Sequence, residues 1–114
     1  MDEVSLSAPT SVCELKDGYY RTSVVRPEDF GFERCAKDDL LGGTPQDNAA
    51  TIHAILEGRE CGPKRDAAVL NAAFALVAAG LADDVQKGVE RASATIADGS
   101  AARTLEALTA ESNK

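Results

Sequence analysis

A run of almost uninterrupted apolar residues in the middle of the chain limits what the protein can fold into. Residues 67–79 read AAVLNAAFALVAA, with Asn71 as the single polar side chain. Because Pro63 and Gly80 bracket this run, it predicts one helix that is apolar on every side. Such a helix must be surrounded by other elements, and it is too short to span a bilayer, which takes about 20 residues.

The first third of the chain predicts β structure around one tight turn. Asp17-Gly18 is a two-residue signal for a type I′ hairpin that joins residues 11–16 to residues 19–25. The predicted pairs, counted outward from the turn, are Lys16 with Tyr19, Leu15 with Tyr20, Glu14 with Arg21 and Cys13 with Thr22. This register gives one apolar and one charged face, which is typical of a half-buried antiparallel ribbon.

Two further segments surround the predicted hairpin. Residues 2–7 are expected to form a short strand that Pro9 ends, because proline cannot donate a hydrogen bond to a strand ladder. Residues 27–43 are polar and aperiodic, which predicts a connecting loop. All predicted strands therefore lie within residues 2–25.

The remainder predicts four helices within residues 44–111. The first has Thr44 as its N-cap, with Pro45 and Asp47 in its first turn, and ends at Gly58. The second is the apolar helix. The signals for the later helices are a capping box of Asp83 and Gln86, a stop at Gly99 and an N-cap at Ser100.

These elements predict an α/β fold in one domain, residues 1–114, with no second domain. A hairpin, one more strand and three modest helices give the apolar helix too little cover. The chain is therefore expected to be part of a larger domain of sheets and helices.

The charge narrows the classes of partner. Nineteen acidic residues against twelve basic ones give a net charge of −7, which disfavours nucleic acid and anionic membranes because both need a basic face. Met1 is followed by acidic residues and not by a secretory signal, so a cytoplasmic protein is expected. Three scattered cysteines and a single histidine, His53, predict neither a zinc site nor a disulfide framework.

The candidate functional residues are few. Asp2 and Glu3 form an acidic pair that is either a solvated chain end or a Mg²⁺ site, since Mg²⁺ is usually held by one or two carboxylates together with phosphates and water. His53 is interpreted as a partly buried helix residue and Asn71 as a hydrogen-bonded core amide. No serine or threonine has a nearby histidine base, so nucleophilic catalysis is not indicated.

Five stretches of the sequence carry a resemblance to a known family. They are MDEVSLSAPTSVCELKDG, VVRPEDFG, LLGGTPQDNAATIHAILEG, GPKRDAAVLNAAFALVAAG and ADGSAARTLEAL. Taken in this order, they resemble the anthranilate phosphoribosyltransferase family over essentially the whole chain. The resemblance covers about the last third of a family member, which implies the C-terminal part of its larger α/β domain.

The resemblance also implies a function and a site. Family members transfer phosphoribose from phosphoribosyl pyrophosphate to anthranilate in tryptophan biosynthesis. Their Asp-Glu motif, which matches Asp2 and Glu3, holds Mg²⁺ bound to phosphoribosyl pyrophosphate. The family's glycine-rich diphosphate loop, G-T-G-G-D, and the residues lining its anthranilate channel have no counterpart in this sequence.

Two interpretations follow from the resemblance. In the first, the chain is a fragment of the enzyme, inactive alone and active only with the missing N-terminal part. In the second, it is a non-catalytic truncated module or a partner-binding remnant. Met1 falls where family members have an internal residue, so it is expected to be an internal methionine of a longer chain.

Overall fold

Two strands and four α-helices follow one another in the computed structural model, which describes residues 1–114. Two short 3-10 helices lie between the strands and the α-helices. The bounds are β1 Thr10–Lys16, β2 Tyr19–Val25, the 3-10 helices Pro27–Phe30 and Lys37–Leu40, α1 Pro45–Leu56, α2 Pro63–Ala78, α3 Val85–Ala97 and α4 Ser100–Ser112. The predicted loop over residues 27–43 thus contains two single turns of 3-10 helix.

The hairpin forms with the predicted turn and register. Asp17 has a φ of 53° and Gly18 a φ of 80°, the two positive values that a type I′ turn requires. β1 pairs antiparallel with β2, and the pairs include Lys16 with Tyr19 and Leu15 with Tyr20, as predicted.

The prediction that one face of this ribbon is half-buried is wrong for this chain. Leu15 and Tyr20, which are paired on the apolar face, are 74% and 76% exposed. The chain supplies no element that lies over this face. Apolar and polar side chains therefore alternate along the strands as predicted, but the apolar face is not buried against another element.

The predicted strand over residues 2–7 is also wrong. β1 begins only at Thr10, and the sheet has two strands. The physical reason lies at Val4, whose backbone N–H and C=O both bond to the side chain of Asn71 on α2. A side-chain amide therefore takes the place that a neighbouring strand would have held.

The first helix begins as its sequence signals predict. Asp47 N–H donates to Thr44 Oγ1 at 3.1 Å, and Thr44 N–H donates to Asp47 Oδ2 at 3.1 Å, so the two residues form a reciprocal capping box. Pro45 occupies the first helical position, and α1 ends at Leu56, two residues before Gly58.

The predicted caps of the last two helices are each displaced by one residue. Asp84, not Asp83, caps α3, because its Oδ1 accepts from Lys87 N–H at 2.8 Å. Asp83 instead pairs with the Lys87 ammonium at 3.2 Å. Ser100 is the first residue of α4 and not its cap; Gly99, with a φ of 79°, occupies the cap position.

The core lies between α2 and α3. Its buried cluster consists of Val69, Ala73, Val89 and Ala92, with Phe30 and Phe32 packed at its edge. One stripe of α2 is open, since Ala68, Ala72 and Ala75, and Ala79 directly after the helix, are all exposed. Other parts of this chain therefore cover the apolar helix only in part. None of the helices is both long and apolar enough to cross a membrane.

Candidate metal centre

The acidic pair lies at the start of a segment that α2 holds in place. Asp2 and Glu3 are both exposed, whereas the next residues become progressively buried until Leu6, which is only 1% exposed. The two carboxylates therefore extend into solvent from a backbone that is fixed to the core directly after them.

Asn71 makes the contact closest to the acidic pair. Its Oδ1 accepts from Val4 N–H at 2.9 Å, and its Nδ2 donates to Val4 O at 3.0 Å and to Ala67 O at 2.9 Å. The predicted hydrogen bonding of the Asn71 amide is confirmed, but the residue is half-buried and does not belong to the core. Its partner is the residue that follows Glu3, which places the single polar residue of the run 67–79 beside the candidate site.

Further contacts fix the same segment on its other side. The Leu6 side chain is buried, and its carbonyl oxygen accepts from Cys35 N–H at 3.1 Å. Ser5 N–H donates to Thr10 Oγ1 at 2.9 Å, which joins the segment to the start of β1. Val4, Ser5 and Leu6 therefore each have a bond that limits movement of the backbone.

The donor set fits part of a magnesium shell. No three side chains of the His, Cys, Asp and Glu types lie close enough together to hold a metal ion by themselves. Mg²⁺, however, usually keeps several waters and binds through one or two carboxylates plus substrate phosphates. Asp2 and Glu3, both exposed, are oxygen donors of the kind that such an ion takes from a protein.

The other candidate residues lie outside this site. His53 is exposed and not partly buried as expected, and its Nδ1 lies 3.8 Å from Glu57 Oε1 on the surface of α1. Gly43 shapes the turn before α1, where its N–H donates to Asn48 Oδ1 at 2.9 Å. The cysteines are unpaired, and burial raises the pKa of the Cys35 thiol.

The sequence singled out both the acidic pair and Asn71, but it did not predict that Asn71 lies next to the pair. Asn71 was noticeable because it interrupts an apolar run, and the acidic pair because of its type. The hydrogen-bonded residues Val4 and Asn71 are 67 positions apart, and no local pattern links them.

A comparison with models of protein families identifies the family of this chain. The model of the glycosyl transferase family, a/b domain, matches residues 1–102. The chain belongs to this family. Together with the relatives described next, this match confirms the resemblance that the five sequence stretches carry.

Relatives in this glycosyl transferase family match nearly the whole chain. One is the anthranilate phosphoribosyltransferase of Methanobrevibacter smithii, 52% identical over 106 residues that make up 93% of this chain and 31% of the relative. Another, from Methylocella silvestris and of the same name, is 47% identical over 100% of this chain and 32% of its own length. The chain spans about a third of the length of the curated relatives it matches.

Solved structures of the family share the fold. The anthranilate phosphoribosyltransferase of Thermus thermophilus superposes with a TM-score of 0.87 at 34% identity, over 96% of this chain and 32% of its own. The Saccharomyces cerevisiae enzyme, in complex with 4-fluoroanthranilate, gives a TM-score of 0.79 at 26% identity, over 93% and 31% of the two chains. The predicted α/β fold class, as part of a larger domain, is confirmed.

Proposed function

We propose that this chain supplies the metal-binding third of an anthranilate phosphoribosyltransferase. In this proposal the whole enzyme transfers phosphoribose from phosphoribosyl pyrophosphate to the amine of anthranilate, in tryptophan biosynthesis. The observation that carries the proposal is the acidic pair, Asp2 and Glu3, held beside α2 in a chain that is 52% identical to a relative of that name. Both substrates are small polar molecules, so we assign the reaction to the cytoplasm.

Within this proposal, Asp2 and Glu3 hold Mg²⁺ bound to the pyrophosphate of the substrate. The ion, when bound, offsets the negative charge that grows on pyrophosphate as it leaves. The two carboxylates hold it from the protein side, and the Val4 backbone behind them is fixed by Asn71. The residues that bind anthranilate and the remaining diphosphate oxygens come from the other two-thirds of the enzyme.

A chimeric enzyme tests this proposal. The matching third of the Methanobrevibacter smithii relative is replaced by this chain, and phosphoribosyl transfer is measured with phosphoribosyl pyrophosphate, anthranilate and Mg²⁺. We expect the chimera to be active. We expect Asp2→Asn and Glu3→Gln each to lower kcat/KM by roughly 100-fold, as loss of a charge-stabilising group in a transition state commonly does.

Glu14→Gln is the matched control, because Glu14 is an exposed carboxylate on the hairpin, paired across the strands with Arg21. It is expected to leave kcat/KM unchanged. A folded chimera without activity would favour the alternative of a non-catalytic module. Full activity in the Asp2 and Glu3 variants would exclude the acidic pair as metal ligands.

A further inference from the structure

We propose that Asn71 is a positioning residue for the acidic pair: it fixes the backbone at Val4 and thereby the direction of the Asp2 and Glu3 carboxylates. This inference rests on the proposed role of that pair as metal ligands. Asn71 touches neither ligand itself, and it acts through the two hydrogen bonds that it makes with Val4.

The side-chain amide can make this contact in only one orientation. Its Nδ2 group faces two carbonyl oxygens, those of Val4 and Ala67, at 3.0 and 2.9 Å. Its Oδ1 faces the N–H of Val4 at 2.9 Å. Turning the amide over would set Oδ1 against both carbonyl oxygens, where no hydrogen exists to share. The bond to Ala67, one turn earlier on α2, thus fixes which way the amide presents itself to Val4.

The contact reproduces what a neighbouring strand does for one residue. A strand partner would donate to one backbone group of Val4 and accept from the other, and the amide of Asn71 does both. It does so from a helix, with three of the four hydrogen-bonding positions of the amide in use. The cost of placing a polar group in an otherwise apolar helix is thereby offset.

The position of this contact along the chain matters for a metal site. Ligand geometry has to be held within about 0.5 Å, whereas terminal residues fray. Without Asn71, the nearest fixed points would be the Ser5 N–H bond to Thr10 and the buried side chain of Leu6. With the Asn71 hydrogen bonds in place, the backbone is already held at Val4, the residue immediately after Glu3. Partners behind metal ligands commonly change metal affinity by about 10- to 100-fold when removed.

The test uses the 114-residue chain, labelled for NMR, with Mn²⁺ as the metal probe. The variant is Asn71→Leu, which keeps the branched shape, adds no charge and suits an apolar helix, so α2 is expected to form. Val89→Ala is the control, because Val89 is in the core between α2 and α3 and does not bond to the segment. Both variants are first compared with the wild type by far-UV circular dichroism.

Two readouts separate positioning from general stability. Without metal, we expect Glu3 and Val4 amides to have rigid order parameters, near about 0.85, and to fall below about 0.6 in Asn71→Leu alone. With Mn²⁺, we expect paramagnetic broadening centred on residues 2–4, and a roughly 10-fold weaker affinity in Asn71→Leu. Val89→Ala is expected to leave both readouts at their wild-type values.

The outcomes distinguish this inference from the function on which it rests. Absence of broadening at Asp2 and Glu3 in the wild type, with Mn²⁺ raised through the roughly millimolar range, would overturn the metal role and this inference with it. Broadening that Asn71→Leu leaves unchanged would overturn the positioning role alone. If Asn71→Leu does not fold, a measurement on the wild-type chain tests the positioning role instead. A coupling across the hydrogen bond between Val4 nitrogen and Asn71 Cγ is then expected, and its absence overturns the proposal.

Discussion

Gly88 on α3 lies directly against the backbone of Ala73 on α2. A Cβ atom built at Gly88 would stand 2.7 Å from the Ala73 carbonyl oxygen and 2.9 Å from its Cα. These distances are shorter than any van der Waals contact, and the neighbour is backbone, which cannot turn aside. The two helices at the core of the chain therefore approach closely because position 88 has no side chain.

This contact reverses the usual sign of a glycine-to-alanine exchange. In an exposed helix, alanine is favoured over glycine by about 1 kcal/mol. Here the added methyl forces α2 and α3 apart, so we predict that Gly88→Ala lowers the free energy of unfolding by roughly 1–3 kcal/mol. Urea unfolding followed by circular dichroism measures the change. Gln86→Ala, at an exposed position of α3, is the control and is expected to have little effect; a stabilised Gly88→Ala would contradict the close approach.

The 114-residue chain alone is predicted to catalyse no phosphoribosyl transfer. Its sequence has no G-T-G-G-D stretch, the motif that the family resemblance associates with diphosphate binding, so the leaving group would lack most of its charge stabilisation. The measurement is product formation from anthranilate, phosphoribosyl pyrophosphate and Mg²⁺. Turnover above a no-protein blank that disappears in Asp2→Asn would show that one third of the enzyme is sufficient.

The isolated chain is predicted to bind Mg²⁺ weakly, in roughly the millimolar range or poorer. Two carboxylates without substrate phosphates leave most of an octahedral shell to water. Titration calorimetry on the wild type and on the Asp2→Ala, Glu3→Ala double variant gives the affinity and its dependence on the pair. Micromolar binding that persists in the double variant would contradict both the strength and the location of the site.

The chain alone is predicted to be marginally stable or to self-associate. The apolar face that carries Leu15 and Tyr20 is open, as is the alanine side of α2. Such surfaces favour contact with a second copy. Light scattering over a concentration series measures association, and the double variant Leu15→Lys, Tyr20→Glu, with opposite charges across the strands, is expected to reduce it. A monomeric wild type with a cooperative melt at about 45–65 °C would show a self-sufficient domain.

The capping box at the start of α1 is predicted to make the free energy of unfolding depend on pH in the acidic range. The hydroxyl of Thr44, and then its backbone N–H, hold the pKa of the exposed Asp47 carboxyl below its ordinary value of 3.8. A lowered pKa in the folded state gives stability that is present above the unfolded value and is lost as pH falls through the folded one. The free energy of unfolding should therefore decline below pH 3.8.

Denaturant unfolding at a series of pH values measures this dependence. Asp47→Asn is expected to reduce the loss below pH 3.8, because the amide cannot be protonated there. Asp38→Asn, at an exposed position of the second 3-10 helix, is the matched control. An acid dependence that is the same in wild type and Asp47→Asn would show that this cap does not contribute.

Local signals in the sequence predicted the local parts of the fold. Asp17-Gly18 determined the turn and hence every pair of the hairpin, and Thr44 with Asp47 marked the start of α1. The N-caps of α3 and α4 each lie one residue before or after the predicted position, because neighbouring residues can both take the cap position. Asp83 and Asp84 have the same side chain, and only the path of the chain decides which of them caps the helix.

The parts that were not predicted depend on contacts between distant residues. No pattern in residues 2–7 shows that a helix amide, and not a strand, will satisfy Val4. Likewise, nothing around Gly88 reveals that Ala73 will lie against it. For the candidate site, the sequence shows the acidic pair, which is either a solvated chain end or a Mg²⁺ site, whereas the contact of Asn71 with Val4 depends on where α2 lies.

The exposure of the hairpin affects which substitutions would change the pairing of its two strands. In most sheets a slip of one residue is opposed because it would carry the apolar side chains from the core to solvent. Here Leu15 and Tyr20 are in solvent already, so the burial of these two side chains gives no such opposition. The turn residues Asp17 and Gly18 therefore have the largest part in setting the alignment of the two strands. Exchanges along the strands should leave the pairing intact, whereas a change in the turn would alter the alignment along their full length.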